Sequence, residues 1–260
     1  MDAAERELLT ETLRKTMAAS SGQTLEVALA ELGWAELLTE APDEAIPIAF
    51  RLLGEVGAHA PLLNDVVLGA AGRAIGGTLP LPYTGGSWVV WERTDRAGSS
   101  LDADLPLRTV PTGDPIPLAA GRRALGWWLL GTGRAMLSLA RSHVLDRVQF
   151  GRPLAAFQAV RHRLAETLVA LDGAEATLVL AEDDFGSLLA KAAAGQAALT
   201  AARHCQQVLG GIGFTAEHDL HRHVRRALVL DGLLGSARDL TREAGAQLRE
   251  SRTAPRLAQL

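Results

Sequence analysis

Hydrophobic side chains recur at every third or fourth position through most of the N-terminal part of the chain, and this periodicity predicts helices. One helix is expected over residues 3–18. Residues 24–38 carry the same pattern but contain Gly33, which predicts two short helices. Another helix is expected at Pro42, because proline fits the first helical turn and the acids that follow favour the positive end of the helix dipole. We therefore expect residues 1–75 to form an N-terminal helical domain.

The pattern changes over residues 76–118, where glycine and proline are frequent and helix formers are scarce. Two short runs in this segment, SWVVWER and LPLRTVPT, are typical of strands bounded by turns. The segment is long enough only for a hairpin or a small sheet, and an isolated hairpin is marginally stable. We therefore expect these strands to pack against the helices.

Long helices are expected again over residues 119–250. Hydrophobic spacing predicts them over 125–147, after Pro153, over 185–208 and over 217–249, the last with a break near 232–235. Four long helices joined by short loops are typical of an antiparallel bundle. The predicted fold is mainly α, with the N-terminal helical domain, a short β segment, a C-terminal antiparallel four-helix bundle and a tail over residues 251–260.

Composition narrows the possible partners. The chain has 260 residues and a formal net charge of −4, with basic and acidic residues interspersed, so nucleic acid is not an expected partner. Cys205 is the single cysteine, and its helical, hydrophobic setting predicts a buried structural thiol. There is no secretory pattern at the N-terminus and no hydrophobic run near the length of about 20 residues that a membrane span needs, so we expect a cytoplasmic protein.

A group of metal-ligating residue types lies near the C-terminal end of the chain. It consists of His218, Asp219, His221 and His223. This spacing does not place three ligands on one helical face, because residues i and i+2 point apart, so we expect a polar surface or interface and no metal site. The neighbouring Arg225 and Arg226 are expected to pair with acids at a subunit contact, with CoA phosphates as the alternative.

Candidate binding residues occur in two clusters. The first consists of an arginine, a phenylalanine and a glutamine around an R-x-x-F-G motif. The donors of the planar arginine guanidinium match phosphate oxygens, and the phenylalanine ring could pack against a flat ligand. The second joins a glutamine to a pair of glycines that permit close backbone approach. The residues are Arg147, Phe150, Gln158, Gln207, Gly210 and Gly211. Taken singly, each feature is more typical of an ordinary helix end.

The order and spacing of the two clusters are more specific than either cluster alone. The segment RVQFGRPLAAFQAVRHRLAE, followed by QVLGGIGFTAEHDLHRHVRR, resembles the C-terminal helical domain of the acyl-CoA dehydrogenases over about residues 121–250. A weaker resemblance extends over residues 1–75. In that flavoprotein family these motifs contact an FAD that the neighbouring subunit mainly holds. The resemblance therefore implies that the six residues named above are FAD contacts made in trans.

The chain departs from the family pattern in two ways. The family has a middle β-domain of roughly a hundred residues, whereas only residues 76–118 are available here, so most of that domain is missing. The family's catalytic glutamate lies at one of two positions, which here hold Gly121 and Leu234. Arg122 matches a family arginine that lies near the acyl-CoA. Asp231 is the acid nearest to Leu234 and a candidate replacement base, with a helix-surface or interface aspartate as the favoured alternative.

These observations predict a shortened subunit of a heteromeric (α2β2) acyl-CoA dehydrogenase of the actinobacterial type, which desaturates an acyl-CoA thioester such as a steroid side-chain CoA. FAD would be shared with a homologous subunit that supplies the catalytic carboxylate, so the lone chain is expected to be inactive. Two alternatives are open: a flavin-free scaffold or CoA-thioester-binding partner protein, and a non-redox acyl-CoA hydratase or lyase. The second needs a local acid or base, for which Asp231, Glu217 and His218 are the candidates.

Overall fold

A computed structural model describes residues 1–98 and 100–253. These residues are mainly helical, as the hydrophobic periodicity predicts. The helices are α1 (Ala3–Ala19), α2 (Gly22–Glu31), α3 (Trp34–Glu40), α4 (Pro42–Val56), α5 (Leu62–Ala70), α6 (Ala119–Asp146), α7 (Gln158–Val179), α8 (Asp184–Leu209), α9 (Leu220–Gly232) and α10 (Ala237–Ser251). The strands are β1 (Pro80–Tyr83), β2 (Ser87–Trp91), β3 (Leu107–Val110), β4 (Val148–Gln149) and β5 (Arg152–Pro153). No helix in this part of the chain is long and hydrophobic enough to cross a bilayer.

Local sequence signals set the ends of the first helices. At the start of α1, the Asp2 carboxylate accepts from the Glu5 N–H at 2.8 Å, and the Glu5 carboxylate accepts from the Asp2 N–H at 2.7 Å. Gly33 has φ 79°, a left-handed conformation that ends α2 before α3 begins. Pro42 is the first residue of α4. The predicted break and the predicted helix start are therefore confirmed.

The β segment is a three-stranded antiparallel sheet in the order β1–β2–β3. The two predicted runs form β2 and β3, and β1, which contains two prolines, is an addition to the prediction. Trp91 of β2 stacks on Trp128 of α6 with the ring centroids 5.6 Å apart. The Asn64 amide of α5 donates to the Trp91 carbonyl at 2.9 Å. The helices thus supply the packing that so small a sheet needs.

Two glycines let α4 and α6 cross at backbone contact. A Cβ added to Gly54 would meet the backbone of α6 at Trp128 and Thr132, and a Cβ added to Gly131 would meet the Arg51 carbonyl of α4. Neither backbone position can move aside as a flexible side chain can, so both sites require glycine. This contact joins the N-terminal helices to the bundle through one continuous hydrophobic core.

Helices α6, α7 and α8, with α9 and α10, form the predicted bundle. A Cβ on Gly133 of α6 would meet Leu171 of α7 and Ala198 of α8, which places these three helices against one another at mid-length. The predicted break near 232–235 separates α9 from α10. Ser251 is still the last residue of α10, and most of the predicted tail, residues 254–260, lies outside the described residues.

A buried ion pair ties the β segment to α9. The Arg226 Nε donates to the Asp102 carboxylate, and its Nη1 donates to the Ala58 carbonyl at 2.9 Å. The Arg226 residue is 5% exposed. The expectation that Arg226 pairs at a subunit contact is therefore wrong, because its partners are distant residues of the same chain that the fold brings together.

Candidate cofactor-contacting site

The two predicted clusters lie at the same end of the bundle. Nearly the same number of residues separates each candidate from the middle of its helix. The three pairs are Gly133 and Arg147 for α6, Leu171 and Gln158 for α7, and Ala198 and Gly211 for α8. Since these three mid-helix positions are in contact and the helices have the same rise per residue, the three predicted contacts lie at one level along the bundle axis. The ring of His143 in α6 also lies 6.3 Å from the ring of His218 after α8, so the segments next to the two clusters are in contact.

The R-x-x-F-G motif forms a tight hairpin at this end. Strands β4 and β5 pair across a two-residue turn in which Phe150 has φ 54° and Gly151 has φ 77°. Positive φ at both positions is the geometry that favours a two-residue hairpin. Arg147 follows the last residue of α6, and its carbonyl accepts from the Leu154 N–H at 2.8 Å. The hairpin therefore fixes the backbone positions from which the Arg147 and Phe150 side chains extend.

The turn presents an aromatic ring to the surface. Phe150 is 89% exposed, and its ring lies 6.1 Å from the ring of Phe157 at an interplanar angle of 82°. The Arg152 guanidinium lies over the Phe157 ring, 4.2 Å from its centroid. A phenylalanine with positive φ is uncommon, and at this exposure its ring is open to contact with a ligand or another chain.

The remaining candidate side chains are also open to solvent. Gln158 begins α7 and Gln207 lies in the last turn of α8, and both are exposed. The only side-chain hydrogen bond of Gln158 among the described residues is to the His162 ring, at 3.3 Å. Gly210 has φ 66°, and a Cβ added there or at Gly211 would meet nothing within 4 Å. A ligand can therefore approach this backbone closely.

Sequence reasoning missed His143, which lies one helical turn before Arg147. Burial, the nearby His218 and the Arg147 charge all lower the pKa of His143. These effects favour the neutral imidazole, and Arg147 is the permanent cation beside it. The i,i+4 spacing of the two residues on a predicted helix was the signal that could have revealed this neighbour.

The residues at this end fit one edge of a dinucleotide cofactor. The Arg147 guanidinium makes no hydrogen bond or ion pair with the described residues, so its donors are free for phosphate oxygens. The glycine backbone at 210–211 is open on the ligand side. The side chains of Arg147, Gln158 and Gln207 are exposed, and the sheet has only three strands to cover a flavin ring.

The two positions predicted for a catalytic glutamate meet in space. A Cβ added to Gly121 of α6 would lie 2.8 Å from Leu234 Cδ1 and 2.7 Å from Val67 Cγ2. Leu234 is 1% exposed and has φ 56°, and its N–H donates to the Pro82 carbonyl at 2.8 Å. The place where the two positions converge is thus filled by hydrocarbon, and neither position offers a carboxylate.

Arg122, predicted to lie near a substrate, has its donors engaged within the chain. Its Nε donates to the Leu234 carbonyl at 3.2 Å, and its Nη2 lies 3.2 Å from the Glu243 carboxylate. The Arg122 side chain is 13% exposed. These contacts hold the loop between α9 and α10 against α6, and a role toward a substrate stays a prediction.

Asp231 is buried in this chain, which excludes the helix-surface alternative and leaves an interface aspartate as a prediction. It is 9% exposed, and its Oδ1 accepts from the Ala237 N–H at 3.0 Å, at the start of α10. Its carboxylate packs on Gly195 of α8, where a Cβ would have no room. Leu234, in contrast, faces Gly121 of α6. The carboxylate of Asp231 is therefore turned away from the place where the family's base lies.

Lys191 is a second buried charged residue that sequence reasoning missed. Its Nζ donates to the Asp231 carbonyl at 2.5 Å and to the Gly235 carbonyl, and the residue is 0% exposed. Burial lowers the pKa of Lys191 to about 7. The sequence pattern around a lone lysine in an alanine-rich helix does not indicate that it is buried. The carbonyls that bind the Lys191 amine come from the distant end of α9 and the α9–α10 loop.

The histidine cluster is held by local contacts. The His218 Nδ1 accepts from the Leu220 N–H at 3.1 Å, and the His221 Nδ1 lies 2.8 Å from the His218 carbonyl. His223 packs beside Gly57, and burial lowers its pKa to about 4. In the described ranges, no three histidine, cysteine or acidic residues form a group that could hold a metal ion.

Comparison with known proteins identifies the family. Residues 117–242 match the family model described as acyl-CoA dehydrogenase, C-terminal domain. The chain is 34% identical over 190 residues to the acyl-CoA dehydrogenase FadE34 of Mycobacterium tuberculosis, covering 64% of this chain and 27% of that protein. It is 36% identical over 125 residues to the acyl-CoA dehydrogenase IpdE2 of the same organism, covering 47% of this chain and 39% of that protein.

Solved structures share the fold over nearly the whole chain. A chain of the Tcur3481-Tcur3483 steroid ACAD matches with a TM-score of 0.75 at 20% identity, covering 96% of this chain and 99% of that one. A chain of the ChsE4-ChsE5 complex from Mycobacterium tuberculosis matches with a TM-score of 0.67 at 19% identity, covering 98% and 99%. Both matched chains are therefore close to this chain in length.

Residues 117–242 therefore carry the C-terminal domain of the acyl-CoA dehydrogenase family. The chain spans less than half the length of the two curated relatives named above. These matches agree with the resemblance carried by the R-x-x-F-G and Q-x-x-G-G motifs.

Proposed function

We propose that this chain is one subunit of an FAD-dependent acyl-CoA dehydrogenase complex, which desaturates an acyl-CoA thioester. It contributes FAD contacts in trans, and a homologous subunit supplies the catalytic carboxylate. The observation that carries this proposal is a contrast within one chain. The side chains suited to a shared cofactor are exposed, and the Arg147 guanidinium has no partner among the described residues, whereas the place of the family's base is filled by Leu234.

Each contact has a distinct role in this proposal. Arg147 neutralises and orients phosphate oxygens of the cofactor, and the Phe150 ring covers a flat part of it. Gln158 and Gln207 donate to or accept from its polar edges, and Gly210 with Gly211 lets the backbone approach. FAD supplies the redox chemistry by accepting a hydride from the acyl chain. This chain holds and orients the cofactor and moves no proton.

The solved relatives support a partner of the same family. The matched chains belong to structures described as the Tcur3481-Tcur3483 steroid ACAD and the ChsE4-ChsE5 complex, and each names two different components. By analogy we infer a heteromeric assembly, with two copies of each subunit, and a steroid side-chain CoA as a candidate substrate. The short β segment of this chain favours the same assignment, because a partner must then enclose the flavin ring.

The spacing of the remaining acids and bases speaks against a hydratase or lyase. Glu217 and His218 lie before the start of α9, and Asp231 lies near its end. Eleven residues of α9, from Leu220 to Leu230, lie between the two groups and separate them by about 17 Å. An acid–base pair that acts on one substrate must lie within hydrogen-bonding reach of it, so Asp231 cannot act together with Glu217 or His218.

The test is co-expression of the full chain with a full-length acyl-CoA dehydrogenase subunit of the same organism. We expect a stable complex that carries FAD, measured by its flavin absorbance per complex, and acyl-CoA oxidation by the complex only. Arg147→Ala is expected to weaken FAD retention by about 10–100-fold, because a charge-assisted hydrogen bond contributes about 1.5–3 kcal/mol.

Arg249→Ala is the matched control, since Arg249 is an exposed arginine in the last turn of α10, outside both clusters. It should leave the flavin content unchanged. A complex that forms without flavin would establish the flavin-free scaffold instead. A flavin content that Arg147→Ala leaves unchanged would do the same, because this chain would then make no contact with the cofactor. Oxidation or hydration of an acyl-CoA by the lone chain would also contradict the proposal.

A further inference from the structure

A second surface, on the opposite side of α8 from the bundle core, has the composition of a docking groove. The groove has a volume of about 740 Å³ and runs between α8, α9 and α10. It extends along α8 from Gln196 to Gln206, a length of about 15 Å or three helical turns. Its walls are hydrophobic and include Leu199, Val224 and Leu228, of which Leu228 is 44% exposed.

The floor of the groove holds a single carboxylate. Asp231 lines the groove, and its Oδ1 is used by the Ala237 N–H. Its Oδ2 has no hydrogen-bond partner within residues 1–98 and 100–253, and the Lys191 amine turns to backbone carbonyls instead. An occupant that covers the groove would take this free oxygen out of water, which favours a basic side chain as its partner, since a buried charge without a partner is costly.

The rim of the groove is basic. Arg203, Arg238 and Arg242 line it. Arg203 donates to the Thr200 hydroxyl at 3.2 Å, and Arg242 lies 3.9 Å from the Asp239 carboxylate, while Arg238 makes no ion pair with a described residue. Three arginines around a hydrophobic trough favour a partner with acidic residues flanking its hydrophobic face.

This charge pattern decides between the possible occupants. A second copy of this chain, docked groove to groove, would bring six arginines together at the rim and two carboxylates at the floor, which is unfavourable on both counts. An acyl-CoA would place its phosphates well on the rim, but its hydrophobic chain would cover the Asp231 carboxylate without pairing it. A helix three turns long offers hydrophobic, basic and acidic side chains at the required places.

We propose that this groove docks an amphipathic helix of the partner subunit, whose hydrophobic face is flanked by acidic residues and carries one basic side chain that pairs with Asp231. This inference rests on the proposed function, because it assumes the same partner. It adds a contact surface separate from the FAD-contacting end, so the assembly would be held at two places.

The test uses the co-expressed complex described above, with subunit affinity measured by sedimentation velocity at two salt concentrations. Reversing the rim charges with Arg238→Glu and Arg242→Glu together should weaken the complex at least about tenfold and reduce its salt dependence. Asp231→Asn should weaken it with little change in salt dependence. Arg249→Glu, the same charge change on α10 outside the groove, should have no effect.

The outcomes separate this inference from the proposed function. If the wild-type complex forms and carries FAD but the rim variants bind as tightly as Arg249→Glu, the docking proposal is overturned and the proposed function stands. Self-association of the lone chain that the rim variants abolish would overturn it in favour of a second copy. If the wild-type chains form no complex at all, both proposals fail. Circular dichroism of the exposed arginine variants checks that they fold.

Discussion

The buried amine of Lys191 should make the stability of this protein rise with pH above neutrality. Its pKa is lowered to about 7, from the ordinary lysine value of 10.5, because burial penalises the charged form more than the nearby Asp231 favours it. Between these two values the unfolded chain binds a proton that the folded chain lacks. The free energy of unfolding therefore increases as the pH rises through this window.

The size of the effect follows from one proton. A full proton difference changes the free energy of unfolding by about 1.4 kcal/mol per pH unit. Because the folded amine is half-protonated near pH 7, the expected gain between pH 7 and pH 9 is about 2 kcal/mol. His59 and His223, whose pKa values burial lowers to about 4, lose their effect as the pH rises through their unfolded values near 6.5. Cys205 opposes the rise slightly near pH 9, because its thiol ionises there in the unfolded chain while burial holds the folded pKa at about 12; this removes less than about 1 kcal/mol.

The assay is urea unfolding at fixed temperature at pH 7, 8 and 9, with far-UV circular dichroism as the probe. The slope of the free energy of unfolding against urea concentration is compared between the three pH values. Lys191→Met fills a similar volume without a titrating group. It leaves the carbonyls of Asp231 and Gly235 without their donor, at about 1–3 kcal/mol each, but it should abolish the rise with pH.

Two results would refute this reasoning about Lys191. One is a wild-type stability that is flat or falls between pH 7 and pH 9. The other is a Lys191→Met variant that keeps the wild-type rise, because the proton would then come from another group. Lys15→Met, which removes a largely exposed lysine on α1, is the matched control and should keep the wild-type pH dependence.

Three further predictions concern stability and reactivity. Gly131→Ala should lower the free energy of unfolding by about 3 kcal/mol in urea titrations, because its methyl group meets the Arg51 carbonyl and must push α4 from α6; an unchanged midpoint would contradict this. Arg226→Leu should lower it by about 3–5 kcal/mol by leaving the Asp102 carboxylate buried and unpaired, and Arg225→Leu, an exposed neighbour, should change it by less than about 0.5 kcal/mol. Cys205 should react with a thiol reagent only on unfolding, since burial raises its pKa to about 12; rapid labelling of the folded chain would disprove this.

The candidate site was predictable where its chemistry lies in short motifs. The spacing from Arg147 through Phe150 to Gln158 places all three residues around one hairpin and the helix that follows it, since a tight turn and a helix start are local structures. The glycines after α8 are likewise set by the end of that helix. Exposure of these residues was expected, and the structure places them at one end of the bundle.

The buried charges were not predictable in the same way. Lys191 and Asp231 are 40 positions apart, and Asp102 and Arg226 are 124 positions apart. In each case the partner that makes burial tolerable arrives through tertiary packing. A charged residue read without its partner is therefore expected at the surface or at a subunit contact. This explains why the surface alternative for Asp231 and the subunit contact for Arg226 were wrong.

The sequence by itself determined the helices, the positions of their breaks at Gly33 and near 232–235, and the two motifs that mark the family, because periodicity, helix ends and turns depend on neighbours within a few residues. The tertiary structure decided that Gly121 and Leu234, from α6 and the α9–α10 loop, meet in a hydrocarbon contact. It also decided that Asp231 forms the floor of a groove with a basic rim. These are relations between distant segments, and packing alone fixes them.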